Sequence, residues 1–211
     1  EMQTLLSQPD RSREKGRRDL VLLSLLYDSG ARVQELIDLV VRDVRLDHPA
    51  KVMLTGKGRK IRYVPLMSRT VSLLQDYLRE QHLDTPLTME HPLFFNSQRK
   101  KFSRAGVTYI VGKYADMARN ACATMPKKVT PHTFRHSKAM HLLQANVSLV
   151  YIRDILGHTD IKTPEMYARA DTEMKRLALE QLSQQHIPEA ATPWQHDADL
   201  LAWLSDICRK Q

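Results

Sequence analysis

The stretch at residues 43–66, DVRLDHPAKVMLTGKGRKIRYVPL, differs in pattern from the sequence on either side of it. Three short segments, DVRL, KVMLT and IRYVP, are rich in β-branched or aromatic residues, and the turn-forming segments DHPA and GKGRK separate them. Short runs of this kind, joined by residues that favour turns, are typical of neighbouring antiparallel strands. The stretch therefore predicts a small three-stranded antiparallel sheet.

The rest of the chain shows the helical spacing of apolar residues rather than the alternation of strands. Residues 20–27 predict a buried helix, and a turn at DSG separates it from a second helix that we expect over residues 31–41. Helical periodicity also covers five later segments, at residues 68–81, 104–123, 131–145, 148–156 and 164–185. We therefore expect a mainly α protein with one small three-stranded antiparallel sheet, which is an α+β fold.

The character of the sequence changes after residue 186. The segment IPEAATPWQHDAD is typical of a linker, and the segment LLAWLSDICRK predicts a short amphipathic helix. Because a helix this short is not stable alone, it either folds back on its own domain or docks on a neighbouring subunit. We therefore divide the chain into one domain at residues 1–186 and a linker with a C-terminal helix at residues 187–211.

The composition indicates a basic protein with enough residues for one substantial core. Lys and Arg number 32 against 24 Asp and Glu, which gives a formal net charge of +8 and favours a polyanionic partner. The sequence contains no apolar run near the ~20 residues that a membrane span needs, no secretory signal and only two cysteines. We expect a soluble protein in a reducing, intracellular compartment and, because the sequence opens with Glu1, a fragment of a longer chain.

An arginine lies on the apolar side of the helix predicted at residues 131–145. At roughly 100° per residue, His132, Arg135 and His136 fall in the same sector as the apolar side chains. Pro131 marks the helix start, so these residues lie near a helix N-terminus, which attracts anions. Since an unpaired buried arginine is costly, Arg135 meets either a carboxylate or an anionic ligand.

A second arginine occupies a similar position. In GARVQELIDL, Arg32 and Glu35 lie three residues apart at the margin of the apolar face, near the predicted helix start. One interpretation is a local Arg–Glu ion pair, which is common and weak on a helix surface. The other is that Arg32 and Arg135 clamp a phosphate together, because guanidinium binds phosphate oxygens bidentately and stays charged.

Basic residues fill the turn between the second and third predicted strands. Lys57 lies between two glycines, and Arg59, Lys60 and Arg62 follow it. The spacing lacks the longer glycine loop, ending in Gly-Lys-Ser/Thr, that defines a P-loop. The turn is therefore either simply solvated or a hairpin that carries basic side chains, Lys57 first, into a nucleic-acid groove.

His158 and Tyr167 lie nine residues apart in LGHTDIKTPEMYARA. A lone tyrosine usually packs or makes a surface hydrogen bond, but beside arginines and histidines its phenolate is stabilised and can act as a nucleophile.

A zinc site at His132 and His136, spaced i,i+4, would lack the glutamate of the HExxH pattern and a further ligand. We therefore expect no metal and no other cofactor.

The chain resembles the catalytic domain of the tyrosine recombinase (phage integrase) family of site-specific DNA recombinases. Four segments carry the resemblance and occur in the family's order: SGARVQEL, GKGRKIRYVPL, PHTFRHSKAMHLL and LGHTDIKTPEMYARA. The resemblance covers about residues 17–180. It implies the fold of that domain and an enzyme that cleaves and rejoins double-stranded DNA, as in the integration of mobile genetic elements, through a 3′-phosphotyrosyl intermediate. It also implies a reaction without metal or ATP.

The resemblance also implies how the chemistry is divided among residues. Tyr167 would be the nucleophile that attacks the scissile phosphate. Arg32 and Arg135 would hold the non-bridging oxygens, and His158 would add a hydrogen bond to them. Lys57 would be the general acid that protonates the leaving 5′-oxygen. By the same resemblance, the protein would act as a homotetramer on paired DNA sites in the bacterial cytoplasm or nucleoid, with the C-terminal helix exchanged between subunits.

Five further residues would support this set. His132 would assist proton transfer at the tyrosine. Glu35 would orient either Arg32 or His132. Arg59, Lys60 and Arg62 would contact DNA.

Other functions fit parts of the pattern. A type IB topoisomerase uses similar chemistry, so controlled strand exchange, as opposed to the relaxation of supercoils, separates a recombinase from it. A DNA-binding accessory protein with a degenerate site would not need Tyr167 among the basic residues. A basic scaffold for acidic proteins would explain the charge but not the arginines on apolar faces, and its binding would be insensitive to Arg135→Ala.

Overall fold

The computed structural model describes residues 1–157, which form helices around one small sheet. The elements are α1 (Met2–Leu6), α2 (Glu14–Ser29), α3 (Val33–Asp38), β1 (Val44–Arg45), β2 (Lys51–Thr55), β3 (Ile61–Pro65), α4 (Ser68–Glu80), α5 (Arg104–Arg119), α6 (Pro131–Gln144) and α7 (Leu149–Leu156). The predicted fold class is confirmed. The helix predicted at 164–185 and the linker and helix at 187–211 lie outside the described residues. None of the helices within residues 1–157 has the length and apolar character to span a membrane.

The sheet has the strand order β1-β2-β3, and both neighbouring pairs are antiparallel. Val52 pairs with Val64 and both are buried, whereas Tyr63 on the opposite face is 56% exposed. This alternation follows from the two-residue period of a strand, so one face of the sheet covers the core and the other is open. The same period places Arg62 on the core face, beside Val64.

Helix α2 supplies the centre of the core, and α4 and α6 pack against it. Its apolar residues include four fully buried leucines, Leu22, Leu23, Leu25 and Leu26. Burying a leucine side chain contributes ~1.5–3 kcal/mol, so this helix anchors the elements around it. It ends at Ser29, and the next residue, Gly30, has a φ of 55°, in the left-handed region that favours glycine. The chain then turns directly into the segment that carries Arg32.

Helix α3 is shorter than the sequence predicted. We expected it to reach residue 41, but it ends at Asp38. The next residues pair with a later loop: Leu93 N–H donates to Leu39 O at 2.9 Å, and Val41 N–H donates to His91 O at 3.0 Å. Because β-branched residues favour extended pairing, this non-local contact prevails over the helical pattern.

Candidate functional site

Three arginines meet at the C-terminal end of α7. Each donates a hydrogen bond to one of three consecutive backbone carbonyls: Arg62 to Ile155 (2.9 Å), Arg135 to Leu156 (2.6 Å) and Arg32 to Gly157 (3.4 Å). The last carbonyls of a helix have no partner within the helix and form the negative end of its dipole, so cations are stabilised there. We call Arg32, Arg62 and Arg135 the arginine cluster.

Gly157 determines how α7 ends beside this cluster. Its φ of 63° is left-handed, which is typical of the residue that terminates a helix. A Cβ atom at this position would lie 2.9 Å from Cδ of Arg62. Glycine therefore both ends the helix and leaves room for the arginine. The next residue in the sequence is His158, which lies outside the described residues.

Arg135 is the buried member of the cluster, with 6% of its surface exposed. It lies on α6, whose start is set by Pro131 and by a capping hydrogen bond from Thr130 N–H to Thr133 Oγ1. Besides Leu156, its guanidinium donates to Gly30 O at 2.7 Å. Arg135 therefore joins the end of α2 to the end of α7, and its burial agrees with its position in the apolar sector of the helix.

The two histidines of that sector are not buried with Arg135. His132 and His136 are both exposed, so the apolar sector of α6 is narrower at its first turns than the helical wheel predicted. His132 lies in the first turn of α6, three residues before Arg135.

Arg32 is the most accessible member of the cluster, with 38% of its side chain exposed. It precedes α3 as its N-cap residue. Its backbone N–H donates to Oε2 of Glu35 and its Nη1 donates to Oε1, each at 2.8 Å. The local ion pair that the spacing allowed is therefore present, and it holds a partly exposed guanidinium in a fixed orientation.

Glu35 is the anionic centre of the cluster, 4% exposed. Besides Arg32, it accepts two hydrogen bonds from Arg62, at 2.9 Å from Nη1 and 2.7 Å from Nη2. Burial raises the pKa of Glu35, but hydrogen bonds from the Arg62 side chain and the Arg32 backbone outweigh it and lower the pKa to about 2. Glu35 is therefore ionised at neutral pH. Two guanidiniums around one carboxylate leave a net charge of +1.

A cleft of about 600 Å³ opens beside these residues. Its lining includes Arg32, Arg62 and the turn residues Lys57 and Lys60. Lys57, Lys60 and Arg59 are exposed. The cleft therefore gathers cations from the start of α3 and from the β2–β3 turn around one space, which suits an anionic ligand.

Arg62 is more buried than its predicted role suggested. We expected it to contact DNA together with Arg59 and Lys60, but its side chain is only 11% exposed and is bound to Glu35 and to a backbone carbonyl. The cause is the period of β3, which turns Arg62 to the same face as the buried Val64. The alternation of residues in IRYVP indicated that Arg62 faces inward. The sequence did not indicate its partner, because Glu35 lies 27 residues away along the chain.

The structure thus brings Arg32, Glu35, Lys57 and Arg135 to one region, while Tyr167 lies outside the described residues. Within residues 1–157, no group of three His, Cys, Asp or Glu side chains is placed to hold a metal ion.

The sequence matches the model of the phage integrase family over residues 1–174. This chain therefore belongs to the phage integrase family, which confirms the resemblance that the four sequence segments carried.

The curated relatives include several named tyrosine recombinases. Tyrosine recombinase XerD of Staphylococcus epidermidis is 39% identical over 170 residues, which cover 79% of this chain and 55% of the relative. Tyrosine recombinase XerC of Pelobacter propionicus is 35% identical over 189 residues, which cover 90% of this chain and 58% of the relative. This chain therefore spans little more than half the length of these relatives.

Solved structures share the fold. The crystal structure of XerA recombinase has a TM-score of 0.67 and 27% identity, and the match covers 90% of this chain and 64% of that one. XerH site-specific recombinase, bound to its palindromic difH substrate in a post-cleavage complex, has a TM-score of 0.70 and 25% identity, with 84% and 50% covered. The fold described above is therefore that of the tyrosine recombinase catalytic domain.

Proposed function

We propose that this chain is the catalytic domain of a site-specific recombinase, which cleaves and rejoins double-stranded DNA through a 3′-phosphotyrosyl intermediate. One observation carries the proposal: Arg32 and Arg135 donate to adjacent carbonyls of Gly157 and Leu156, beside a cleft that Lys57 also lines. The guanidinium of Arg32 and the ammonium of Lys57 line the cleft, and the guanidinium of Arg135 lies behind them at the neighbouring carbonyl. These cationic donors match the oxygens of a phosphodiester. The names of the relatives and the DNA in the XerH complex support the same function.

The proposed reaction exchanges one phosphate ester for another. The phenolic oxygen of Tyr167 attacks the scissile phosphorus, and the bond from phosphorus to the 5′-oxygen breaks as the new bond forms. His132 takes up the proton of the tyrosine, and Lys57 donates a proton to the leaving 5′-oxygen. The products are a 3′-phosphotyrosyl ester and a 5′-hydroxyl. Because a diester replaces a diester, the reverse reaction joins strands without ATP.

The arginines stabilise the charge that develops on the phosphate. Arg32, Arg135 and His158 are proposed to bind the non-bridging oxygens, where the transition state gains negative charge. Guanidinium stays protonated over the whole physiological range of pH, so the positive charge is in place before the reaction begins. Removal of one such donor typically lowers the rate by about 10²–10³. This fixed charge is the reason that we propose a reaction without a divalent metal ion.

Double-stranded DNA is the proposed partner. The net charge of +8 and the exposed side chains of Lys57, Arg59 and Lys60 favour contact with a polyanion. We further propose a homotetramer on paired sites, in the bacterial cytoplasm or nucleoid, in which the C-terminal helix docks on a neighbouring subunit. Deletion of residues 198–211 tests the last point, and assembly on DNA that survives the deletion unchanged contradicts it.

The function is tested with a pool of nicked suicide duplexes at low ionic strength, where weak phosphate contacts are strongest. The nick lets the short 5′-hydroxyl fragment diffuse away, so the covalent complex accumulates and is seen on a denaturing gel. The wild type is expected to give a denaturant-resistant protein–DNA band, and Tyr167→Phe none. Tyr151→Phe, at an exposed tyrosine of α7, is the matched control and should give the wild-type band.

Three results would bear against the proposal. A band in Tyr167→Phe equal to that of the wild type contradicts the assigned nucleophile. A wild type that binds the same duplexes without forming a band favours a DNA-binding accessory protein. A third contrary result uses a supercoiled plasmid that carries the sequence of the captured duplex. If the protein only relaxes this plasmid and never exchanges its strands with those of a second duplex, the chain is a topoisomerase instead.

A further inference from the structure

We infer that Arg62 is a positioning residue of the proposed active site, which neutralises Glu35 so that Arg32 keeps its positive charge available for a phosphate. This inference rests on the proposed function, because it names what prepares the anion-binding arginine of that same site. It assigns to Arg62 an internal role in place of the DNA contact that its sequence position had indicated.

The hydrogen bonds of Arg62 show that it acts through other residues. Its two terminal nitrogens donate to the two oxygens of Glu35, and its Nε donates to Ile155 O. A planar guanidinium that donates in this fork geometry is fixed in position and in orientation. Its donors are directed at Glu35 and α7, so Arg62 itself is not a catalytic residue.

Glu35 would otherwise cancel the charge of Arg32. A buried carboxylate with Arg32 as its single cationic partner forms a neutral pair, and it can draw both terminal nitrogens of that guanidinium towards itself. With Arg62 present, both carboxylate oxygens are already engaged. Within residues 1–157, the one hydrogen bond of Arg32 Nη2 is then the long 3.4 Å contact with Gly157 O. That nitrogen lies on the partly exposed member of the cluster and can turn to an incoming anion.

Arg62 also links this charge arrangement to the end of α7. It holds Ile155 O, while Arg135 and Arg32 hold the next two carbonyls. The three arginines thus fix the backbone that leads directly into His158. A substitution at Arg62 is therefore expected to affect anion binding through Arg32 and the placement of the α7 end at once.

The test measures the binding of inorganic sulfate by the full chain at low ionic strength. Sulfate is tetrahedral, like a phosphate, and keeps its charge between pH 4 and pH 8. Binding is followed by NMR through the arginine side-chain Nε–H signals. The variants are Arg62→Met, Arg62→Lys and the double variant Glu35→Gln/Arg62→Met. Arg79→Met, at an exposed arginine of α4, is the control for simple loss of one positive charge.

Arg62→Met is expected to weaken sulfate binding about tenfold or more, because the field of one nearby cation is lost inside a poorly solvated site. The double variant should recover to within about threefold of the wild type, since the uncompensated carboxylate is gone. Arg62→Lys should also stay within about threefold, because it keeps the charge. Arg62→Met removes the hydrogen bonds that lower the pKa of Glu35, while the burial that raises this pKa remains. In this variant Glu35 therefore becomes protonated at a higher pH than in the wild type, and the binding defect should shrink as the pH falls. Arg79→Met should bind like the wild type.

A merely structural role for Arg62 predicts a different pattern. In that case the double variant would be no better than Arg62→Met, and the defect would not depend on pH. Either result overturns the inference, as does a wild type that binds no sulfate in a saturable way. If Arg62→Met does not fold, the double variant and Arg62→Lys decide, because replacing both members of a buried ion pair is often tolerated. Failure of the proposed function is seen separately, as the absence of a Tyr167 adduct in the wild type.

Discussion

At the scale of single residues, the site depends on which protein groups accept hydrogen bonds from its three guanidinium groups. A buried cation is tolerated only when its donors are satisfied. Backbone carbonyls hold Arg135, a carboxylate and a carbonyl hold Arg62, and Arg32 shares that carboxylate while remaining partly exposed. The three arginines therefore differ in what they can still bind, and Arg32 is the best placed to meet a ligand in the cleft.

Replacement of Arg135 separates its structural role from its proposed catalytic role. Arg135→Met leaves the carbonyls of Gly30 and Leu156 without this donor, which costs about 1–3 kcal/mol for each buried group left unsatisfied. Urea denaturation should show this loss in the free energy of unfolding. Arg135→Lys keeps the charge but not the fork, so we expect covalent-complex formation to fall at least about tenfold. Unchanged stability in the first variant and an unchanged rate in the second would contradict these assignments.

The pKa of Glu35 predicts how stability depends on pH. The folded protein lowers this pKa from 4.5 to about 2, so the stabilisation is complete above pH 4.5 and is lost as the pH falls towards 2. The linked free energy is about 3 kcal/mol. Glu35→Gln should be less stable than the wild type at pH 7 and should lose less stability between pH 5 and pH 3. Denaturation curves across this range test it, with Glu90→Gln, at an exposed carboxylate, as the control. Parallel pH profiles for Glu35→Gln and the wild type would refute the assignment.

At the scale of elements, the C-terminal end of α7 arranges the arginine cluster. The left-handed conformation of Gly157 stops the helix and exposes its last carbonyls to the arginines. Nearby, Gly30 ends α2 in the same conformation, and a Cβ atom there would lie 2.6 Å from Cδ2 of Leu156. Two glycine turns therefore bring the ends of α2 and α7 close enough for Arg135 to join them.

A glycine substitution tests this arrangement. Gly157→Ala places an alanine at a φ of 63° and its Cβ against Arg62, so we expect a loss of more than about 1 kcal/mol in the free energy of unfolding. Sulfate binding should weaken at the same time. Gly112→Ala is the matched control, because it lies within α5 with nothing within 4 Å of the added Cβ and should be neutral or stabilising by up to about 1 kcal/mol. Equal stability of the two variants would argue against strain at Gly157.

The strands could be predicted from the sequence because their signals are local. The β2 and β3 segments match the predicted runs at Lys51–Thr55 and Ile61–Pro65, since β-branched residues and the glycines of the turn act within a few residues. The end of α3 could not be predicted, because Leu39 pairs with Leu93, far along the chain. The same holds for Arg62. The alternation of β3 could be read from the sequence, but the pairing of Arg62 with Glu35 could not.

At the scale of the whole molecule, the charge distribution favours a long polyanion. The chain carries +8, and the β2–β3 turn projects exposed cations beside the cleft. In the proposed complex with DNA, such a field would raise the rate of encounter, and phosphate contacts would make the affinity fall with salt. The composition indicated this partner class, but only the fold shows that the basic turn borders the same cleft as Arg32.

The salt dependence of DNA binding tests the role of the turn. Arg59→Gln/Lys60→Gln should reduce the slope of log K against log salt by about 0.9 for each side chain that contacts a phosphate. Arg79→Gln, at an exposed arginine on α4, should leave the slope at its wild-type value. Fluorescence anisotropy with one duplex at several salt concentrations provides the measurement. If the double variant keeps the wild-type slope, Arg59 and Lys60 do not contact the DNA backbone.

The proposed role of Tyr167 is tested by identifying the atom to which the DNA becomes attached. The covalent complex captured on the suicide duplex is digested with nuclease and protease, and the nucleotide-bearing peptide is sequenced by mass spectrometry. We predict a nucleotide linked through its 3′-phosphate to Tyr167, in the peptide that contains the sequence EMYAR. An adduct on any other residue, or one linked through a 5′-phosphate, would contradict the account.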